Sequence, residues 1–381
     1  MSAAKAPREA GIELGRIYCC FCVVLIHLNA FYPSQPDVSW AWSLAKCAAT
    51  PVFFLIAGFF FAADKPFGMY MRRITARVMV PLAAVMLVIA QFTPWLSGKG
   101  SLLDCLKGPN LENFLVVGRI FLTTWPYDFV EGYNPFLSAW FSFALFICYL
   151  FIPFLKIVCA GDPKSRRLKR YVLWAGAAFF VLRVSLRISF QDSYAFQHLD
   201  WWLSQKPFYW LWLMTLGHEI RTVWDRPGFR EKWRRKIMWG GLAAYLGGGT
   251  FLFFVTMAFN VAPDGNVNQI YFEREFAPYL FAQLGMFMLF VALDPGRGLV
   301  SKAILFVADK TFYTYIIHEA VYHKLLAVTG SDLTRLRGYL GFGVLTFAVS
   351  TGIAVFLKRI EKAVLAFIAS RRRPSEAQGS A

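Results

Sequence analysis

The chain has 381 residues, 57% of them hydrophobic and 18% aromatic, with a formal net charge of +17. Soluble domains carry about 45–50% apolar residues. A mean hydropathy of +0.46 and apolar runs that recur at spanning length therefore exclude an ordinary soluble protein and predict an all-α polytopic membrane protein. The charge does not mark a nucleic-acid binder, because it is confined to alternate loops. Residues 156–170 carry six Lys/Arg and residues 221–236 carry seven, whereas residues 33–40 carry none and 260–275 only Arg274. Such alternation reports topology and contact with anionic lipid.

Ten spans are expected, at 13–32, 41–63, 74–94, 136–157, 169–190, 203–220, 237–259, 276–294, 300–324 and 338–358. The basic loops then share one side with both termini, which the positive-inside rule makes cytoplasmic. Residues 1–12 read as a polar cytoplasmic tail, 13–360 as a single membrane domain, and 361–381 as a basic, disordered cytoplasmic tail. The first apolar run has no small-residue cleavage site and reads as a retained signal anchor. The loop 95–135 contains LENFLVVGRIFLTTW, too short to span and expected as a re-entrant or interfacial helix. Seven cysteines lie in or beside apolar runs without a CxxC pair, so buried free thiols are expected rather than a disulfide framework.

The first span, GRIYCCFCVVLIHLNAF, carries Arg16 and His27 eleven residues apart. That spacing is close to three helical turns, so both fall on one face, roughly 16 Å apart along the axis. Ionisable groups inside a membrane are functional candidates by default. One reading is a histidine general base, or acyl carrier, at the end of a channel whose mouth holds the arginine. The unperturbed imidazole pKa of about 6.5 suits proton exchange near neutrality. The other reading is a hydrogen-bonded core histidine and a snorkelling arginine.

YMRRITARVMVP places Arg72, Arg73 and Arg77 at the entry to the third span. Arg73 and Arg77 are four apart and share a face. They read either as a phosphate clamp, because guanidinium forks match phosphate oxygens, or as an ordinary positive-inside cluster. In DKTFYTYIIHEAVYH, Thr311, Thr314, Tyr315, His318 and Tyr322 recur at helical spacing, while Glu319 is expected on a different face. This stripe reads as a second polar group in the cavity of His27, or as an interhelical hydrogen-bond seam. Arg183 with Arg187, and Glu273 with Glu275, read as an acceptor pocket or as structural ion pairs. His198, His218 and His323 show no metal-ligand spacing, and no resident metal or permanently bound cofactor is expected.

The order of these segments resembles the acyltransferase-3 superfamily of integral membrane acyltransferases. Arg16-x10-His27 is similar to its first-helix signature, and PVFFLIAGFFFA (51–62) to its second-span FF-x-x-SG motif. RRITARVMVP resembles its basic third-span entry. NPFLSAWFSFALFICYLFIPFL (134–155) resembles its H-L-W-F-L stretch, with Trp140 and Phe141 in register. DKTFYTYIIHEAVYH resembles its late Y-x-x-H span, on Tyr315 and His318. The resemblance runs from about residue 12 to about 360. Departures are Ala57 in place of Ser, Leu137-Ser138-Ala139 ahead of Trp140, and an R-x3-R rather than R-x2-R spacing.

The resemblance implies acyl transfer from cytoplasmic acyl-CoA to a hydroxyl of an envelope glycan, exopolysaccharide or lipid-linked saccharide at a bacterial inner membrane. It makes His27 and His318 the catalytic candidates and gives the CoA phosphates to Arg16, Arg72, Arg73 and Arg77. Trp140, Arg183, Glu273 and Tyr315 become acceptor-pocket candidates. A glucan succinyltransferase or exopolysaccharide acyl-modifying type is the nearest in character. The competing class is a proton-coupled solute transporter, against which the sequence shows no paired halves.

Overall fold

The computed structural model describes residues 9–28, 34–123, 139–189, 206–259, 277–296 and 298–371. These residues form helices and no strand. In chain order the helices are α1 (Ala10–Leu28), α2 (Pro36–Ala48), α3 (Thr50–Phe59), α4 (Phe67–Ile74), α5 (Val80–Leu96), α6 (Leu102–Leu106), α7 (Leu111–Thr123) and α8 (Trp140–Leu150). There follow α9 (Ile152–Cys159), α10 (Pro163–Ser189), α11 (Lys206–Trp224), α12 (Phe229–Phe259), α13 (Ala277–Ala292), α14 (Leu299–Ala308), α15 (Thr311–Thr329) and α16 (Leu336–Arg371).

Helices occupy all ten stretches expected to span. Among the described residues, five segments are long and apolar enough to cross a membrane: Ala10–Leu28, Pro36–Phe59, Phe67–Leu96, Phe229–Ala258 and Leu336–Val364. A sixth is α8 with α9, bent by 59° at Phe151. Pro153, in the first turn of α9, cannot donate to the preceding turn and forces that break. Pro51 acts likewise on the second expected span, which divides at Ala49.

The expected ninth span is corrected from one helix to two. It breaks at Asp309–Lys310, where Lys310 donates its backbone N–H to Val307 and the Thr311 hydroxyl bonds the Ala308 carbonyl. Two charged residues and a hydroxyl that competes for a helical carbonyl supply the stop. In the loop after the third span, α7 has 13 residues, too few to cross a bilayer. It is held to α5 by Asn113 Nδ2 donating to Ala90 O (2.9 Å) and by Gln91 Oε1 accepting from Asn110 N–H (2.8 Å). At the other end of the chain α16 continues to Arg371, so the boundary expected at residue 360 falls inside a helix.

The bundle is organised around α1, which packs against α2, α3, α13, α14, α15 and α16. Most of its side chains are buried, while Leu14, Ile17, Tyr18 and Phe21 stay partly open along one side. Small residues set the closest approaches. A Cβ on Gly58 would stand 1.9 Å from the Met214 carbonyl oxygen, and one on Gly217 would stand 2.1 Å from that of Leu55. α3 and α11 therefore touch backbone to backbone, the small-residue packing by which membrane helices associate. Tyrosines tie the remaining seams: Tyr339 donates to Leu25 O (2.8 Å), Tyr279 to Lys46 O (2.7 Å) and Tyr245 to Leu44 O (3.0 Å). All seven cysteines are buried free thiols.

One end of the bundle gathers its charges. Glu9, just ahead of α1, lies 2.8 Å from Arg221 and 3.6 Å from Arg230, and both arginines pair with Asp225. The N-terminal end of α1 and the basic loop between α11 and α12 thus sit together. Lys169 of α10 meets Glu219 of α11 at 2.5 Å.

Candidate functional site

Near the C-terminal end of α1, His27 meets α15. Its Nδ1 lies 2.8 Å from Oε1 of Glu319, and its ring stands edge-on to that of His318 with centroids 5.2 Å apart. The three side chains differ in access: His27 is 18% exposed and Glu319 3%, while His318 is fully enclosed. His27 is therefore the member that a substrate can reach.

One contact fixes a tautomer. Nδ1 of His318 lies 2.6 Å from the Tyr315 carbonyl oxygen. A carbonyl only accepts, so the proton sits on Nδ1 and Nε2 bears a lone pair. In His27, Nδ1 faces Oε1 of Glu319 at ion-pair distance; a proton carried on Nδ1, toward the carboxylate, leaves Nε2 as the basic nitrogen. A histidine oriented through one nitrogen by a carboxylate, with the other free to accept a proton, is the arrangement of general-base catalysis.

Sequence spacing missed Glu319, because 318 and 319 lie 100° apart on a helical wheel and only one was expected to face the first span. In the structure the first half of α15 is enclosed: Thr311 and residues 313–320 are all buried, and the helix opens from Val321 onward. Adjacent residues can then both reach α1. The signal for Glu319 was its charge, since a carboxylate in an apolar span needs a partner. The expected polar stripe also divides. Thr314 turns to Thr351 of α16 at 3.3 Å, Tyr322 packs on Phe342, and Tyr315 and His318 face the site.

Behind the histidines an aromatic wall runs from α15 to α11. Tyr315 stands 5.4 Å from Phe141 edge to face, Phe141 packs on Phe54 at 5.3 Å, and Phe54 stacks on Trp210 at 4.4 Å. Trp140 stacks on Trp210 at 6.1 Å and belongs to this wall, linked to His27 through the rings of Phe141, Tyr315 and His318. Arg183 lies in α10, but its side chain falls outside the described part of the structure. Glu273, Glu275 and His198 lie outside the described residues.

Three turns toward the charged end of the bundle, Arg16 pairs with buried Glu13 at 2.8 Å. The Arg16 side chain keeps 29% of its surface open. Tyr149 of α8 lies within electrostatic reach of both Arg16 and Arg73, and its ring packs edge to face on Tyr70 at 6.2 Å. Tyr70 is anchored by its hydroxyl to the Ala62 backbone, donating to O at 2.7 Å and accepting from N–H at 3.0 Å. Tyr149 thus feels the charge of Arg16 from α1 and of Arg73 from α4. Arg72 and Arg77 are exposed on the same segment, Arg77 within a π-helical turn, Thr75–Met79. Such turns are frequent at functional sites.

The arrangement is a helix with a half-open arginine at one end, a carboxylate-held histidine near the other, and about three turns between them. No curated protein and no solved structure matches the chain significantly. A family model described as an acyltransferase domain matches residues 9–355. On a match of that extent, the chain belongs to the acyltransferase-3 family of membrane acyltransferases.

Proposed function

We propose that this protein is an acyl-CoA-dependent O-acyltransferase that moves an acetyl or succinyl group to a hydroxyl of an envelope glycan or lipid-linked saccharide. One observation carries the reading: His27 Nδ1 is held by Glu319 at 2.8 Å, on the same helix that presents Arg16. The nucleotide phosphates of CoA would meet Arg16 and Arg73, with Arg72 and Arg77 supplying further positive charge at the mouth. Arginine suits this task because its planar fork stays charged and bonds phosphate bidentately. The pantetheine arm would then span the roughly 16 Å to His27.

In the transfer itself, Nε2 of His27 takes the proton of the acceptor hydroxyl as its oxygen attacks the thioester carbonyl. The tetrahedral intermediate collapses, breaking the C–S bond, and the departing thiolate of CoA receives the proton from Nε2. Glu319 stabilises the transient imidazolium through Nδ1–H. His318, enclosed behind His27, is a positioning residue that keeps the ring upright, and Tyr315 with the Trp140 wall shapes the acceptor side.

The topology that fits this chemistry has ten crossings, with both termini and the basic loops in the cytoplasm of a bacterial inner membrane. The donor would enter from the arginine side and the acceptor from the histidine side. Purified protein given radiolabelled acyl-CoA and a hydroxylated glycan tests the reading. Label should pass to the glycan in the wild type and not in His27→Gln. Label transfer that persists in His27→Gln would overturn it.

A further inference from the structure

The same cluster has the composition of a transition-metal site. His27, His318 and Glu319 each offer one donor atom, and these atoms lie within 4.8 Å of one another. Their sequence positions hide this, because α1 and α15 are 291 residues apart from Cys20 to its Thr311 contact. A second observation points to a ligand. Nε2 of His318 is buried and has no hydrogen-bond partner among the described residues. Its proton is committed to the Tyr315 carbonyl through Nδ1 at 2.6 Å. A histidine that donates one N–H to a backbone carbonyl while presenting the other nitrogen bare is the usual outer-shell arrangement of a metal-ligating imidazole.

We propose that the cluster binds a divalent transition ion of the zinc class, and that binding switches the enzyme off. The ion settles between His27 Nδ1 and Glu319, the Nδ1 proton passes to Nε2 so that His27 ligates as a neutral imidazole whose base nitrogen is now blocked, and His318 Nε2 completes the protein ligands. Tetrahedral zinc holds its nitrogen and oxygen donors at about 2.0–2.2 Å, which sets them about 3.3 Å apart. The His27–Glu319 pair opens slightly from 2.8 Å to reach this, and the His318 side closes. Partly exposed His27 has the freedom to adjust, and its open side leaves the fourth position to water. Two imidazoles and one carboxylate favour zinc, cobalt or nickel over magnesium and calcium, which prefer all-oxygen shells.

The inhibition rests on the general-base role proposed for His27, whereas the binding does not. Tag-free protein in detergent, titrated with Co²⁺ and Zn²⁺, tests both. One equivalent should bind, with tetrahedral Co²⁺ absorption bands that Zn²⁺ displaces. X-ray absorption at the zinc edge should show two imidazole nitrogens. His318→Gln, checked for an unchanged melting temperature, should weaken binding at least about tenfold. Acyl transfer should fall as the site fills and return with a chelator. Absence of stoichiometric binding, sulfur scatterers from the cysteines, or equal affinity in His318→Gln would overturn the site. Stoichiometric binding that leaves transfer untouched would uphold the site and refute the role of His27.

Discussion

Glu319→Gln isolates the charge of the carboxylate from its shape. The amide keeps the volume and an acceptor oxygen beside His27 Nδ1, so the ring orientation should survive. What is lost is the attraction between the carboxylate and the imidazolium that forms as the acceptor proton is taken. With Nδ1 and Oε1 at 2.8 Å, the two charge centres are about 4 Å apart, and at an effective dielectric of about 20 their attraction is about 4 kcal/mol. His27 is 18% exposed, so water screens part of this. About 3 kcal/mol remains as transition-state stabilisation, or about two orders of magnitude in kcat. Donor binding at Arg16 lies three turns away and should hold. Steady-state transfer with varied acyl-CoA, beside calorimetric CoA binding, reads both quantities. A Glu319→Gln enzyme as fast as the wild type would refute the reasoning, as would one whose only change is a higher KM for the donor.

Arg16→Ala should weaken CoA binding by about ten- to a hundredfold, the range for a lost charge-assisted contact, with kcat at saturating donor largely kept; calorimetry and KM check it. Gly58→Ala should lower the melting temperature in detergent, because a Cβ there would stand 1.9 Å from the Met214 carbonyl oxygen; overpacking of this kind costs about 1–3 kcal/mol. Trp210→Ala should destabilise the fold by about 3–5 kcal/mol, since Trp210 is 1% exposed and stacks on both Phe54 and Trp140. Asp162 caps α10, accepting from the backbone N–H groups of Lys164 and Ser165 and from the Ser165 hydroxyl. These bonds hold its carboxyl below the usual carboxylate range. The cap is therefore fully formed above the unfolded pKa and is lost as pH falls through the lower folded value; hydrogen exchange at residues 164–166 across acid pH should show it.

The sequence exposed the parts of the site that depend on one helix. Arg16 and His27 share a face of α1 because eleven residues make nearly three turns, and the structure keeps both on a single helix. The Tyr315-x-x-His318 spacing likewise set His318 beside His27, with Tyr315 against Phe53 and Phe141. Glu319 escaped because helical-wheel reasoning assumes one buried face, and residues 313–320 of α15 are all buried. That Tyr149 feels the charge of both Arg73 and Arg16 was also hidden, since it depends on how α4 and α8 pack. The helical stretches were legible from hydropathy, whereas the break at Asp309–Lys310 was not, because the apolar run continues on both sides of it. Gly58 shows the reverse case: it looked like part of a motif, and the structure gives it a packing reason, the backbone contact of α3 with α11.

The most direct test is a paired measurement on His27→Gln in purified, folded protein: CoA affinity and single-turnover transfer of label from acyl-CoA to acceptor. The account predicts CoA affinity close to that of the wild type and no transfer above background. Transfer at the wild-type rate would contradict it, and so would lost CoA binding as the sole cause of inactivity.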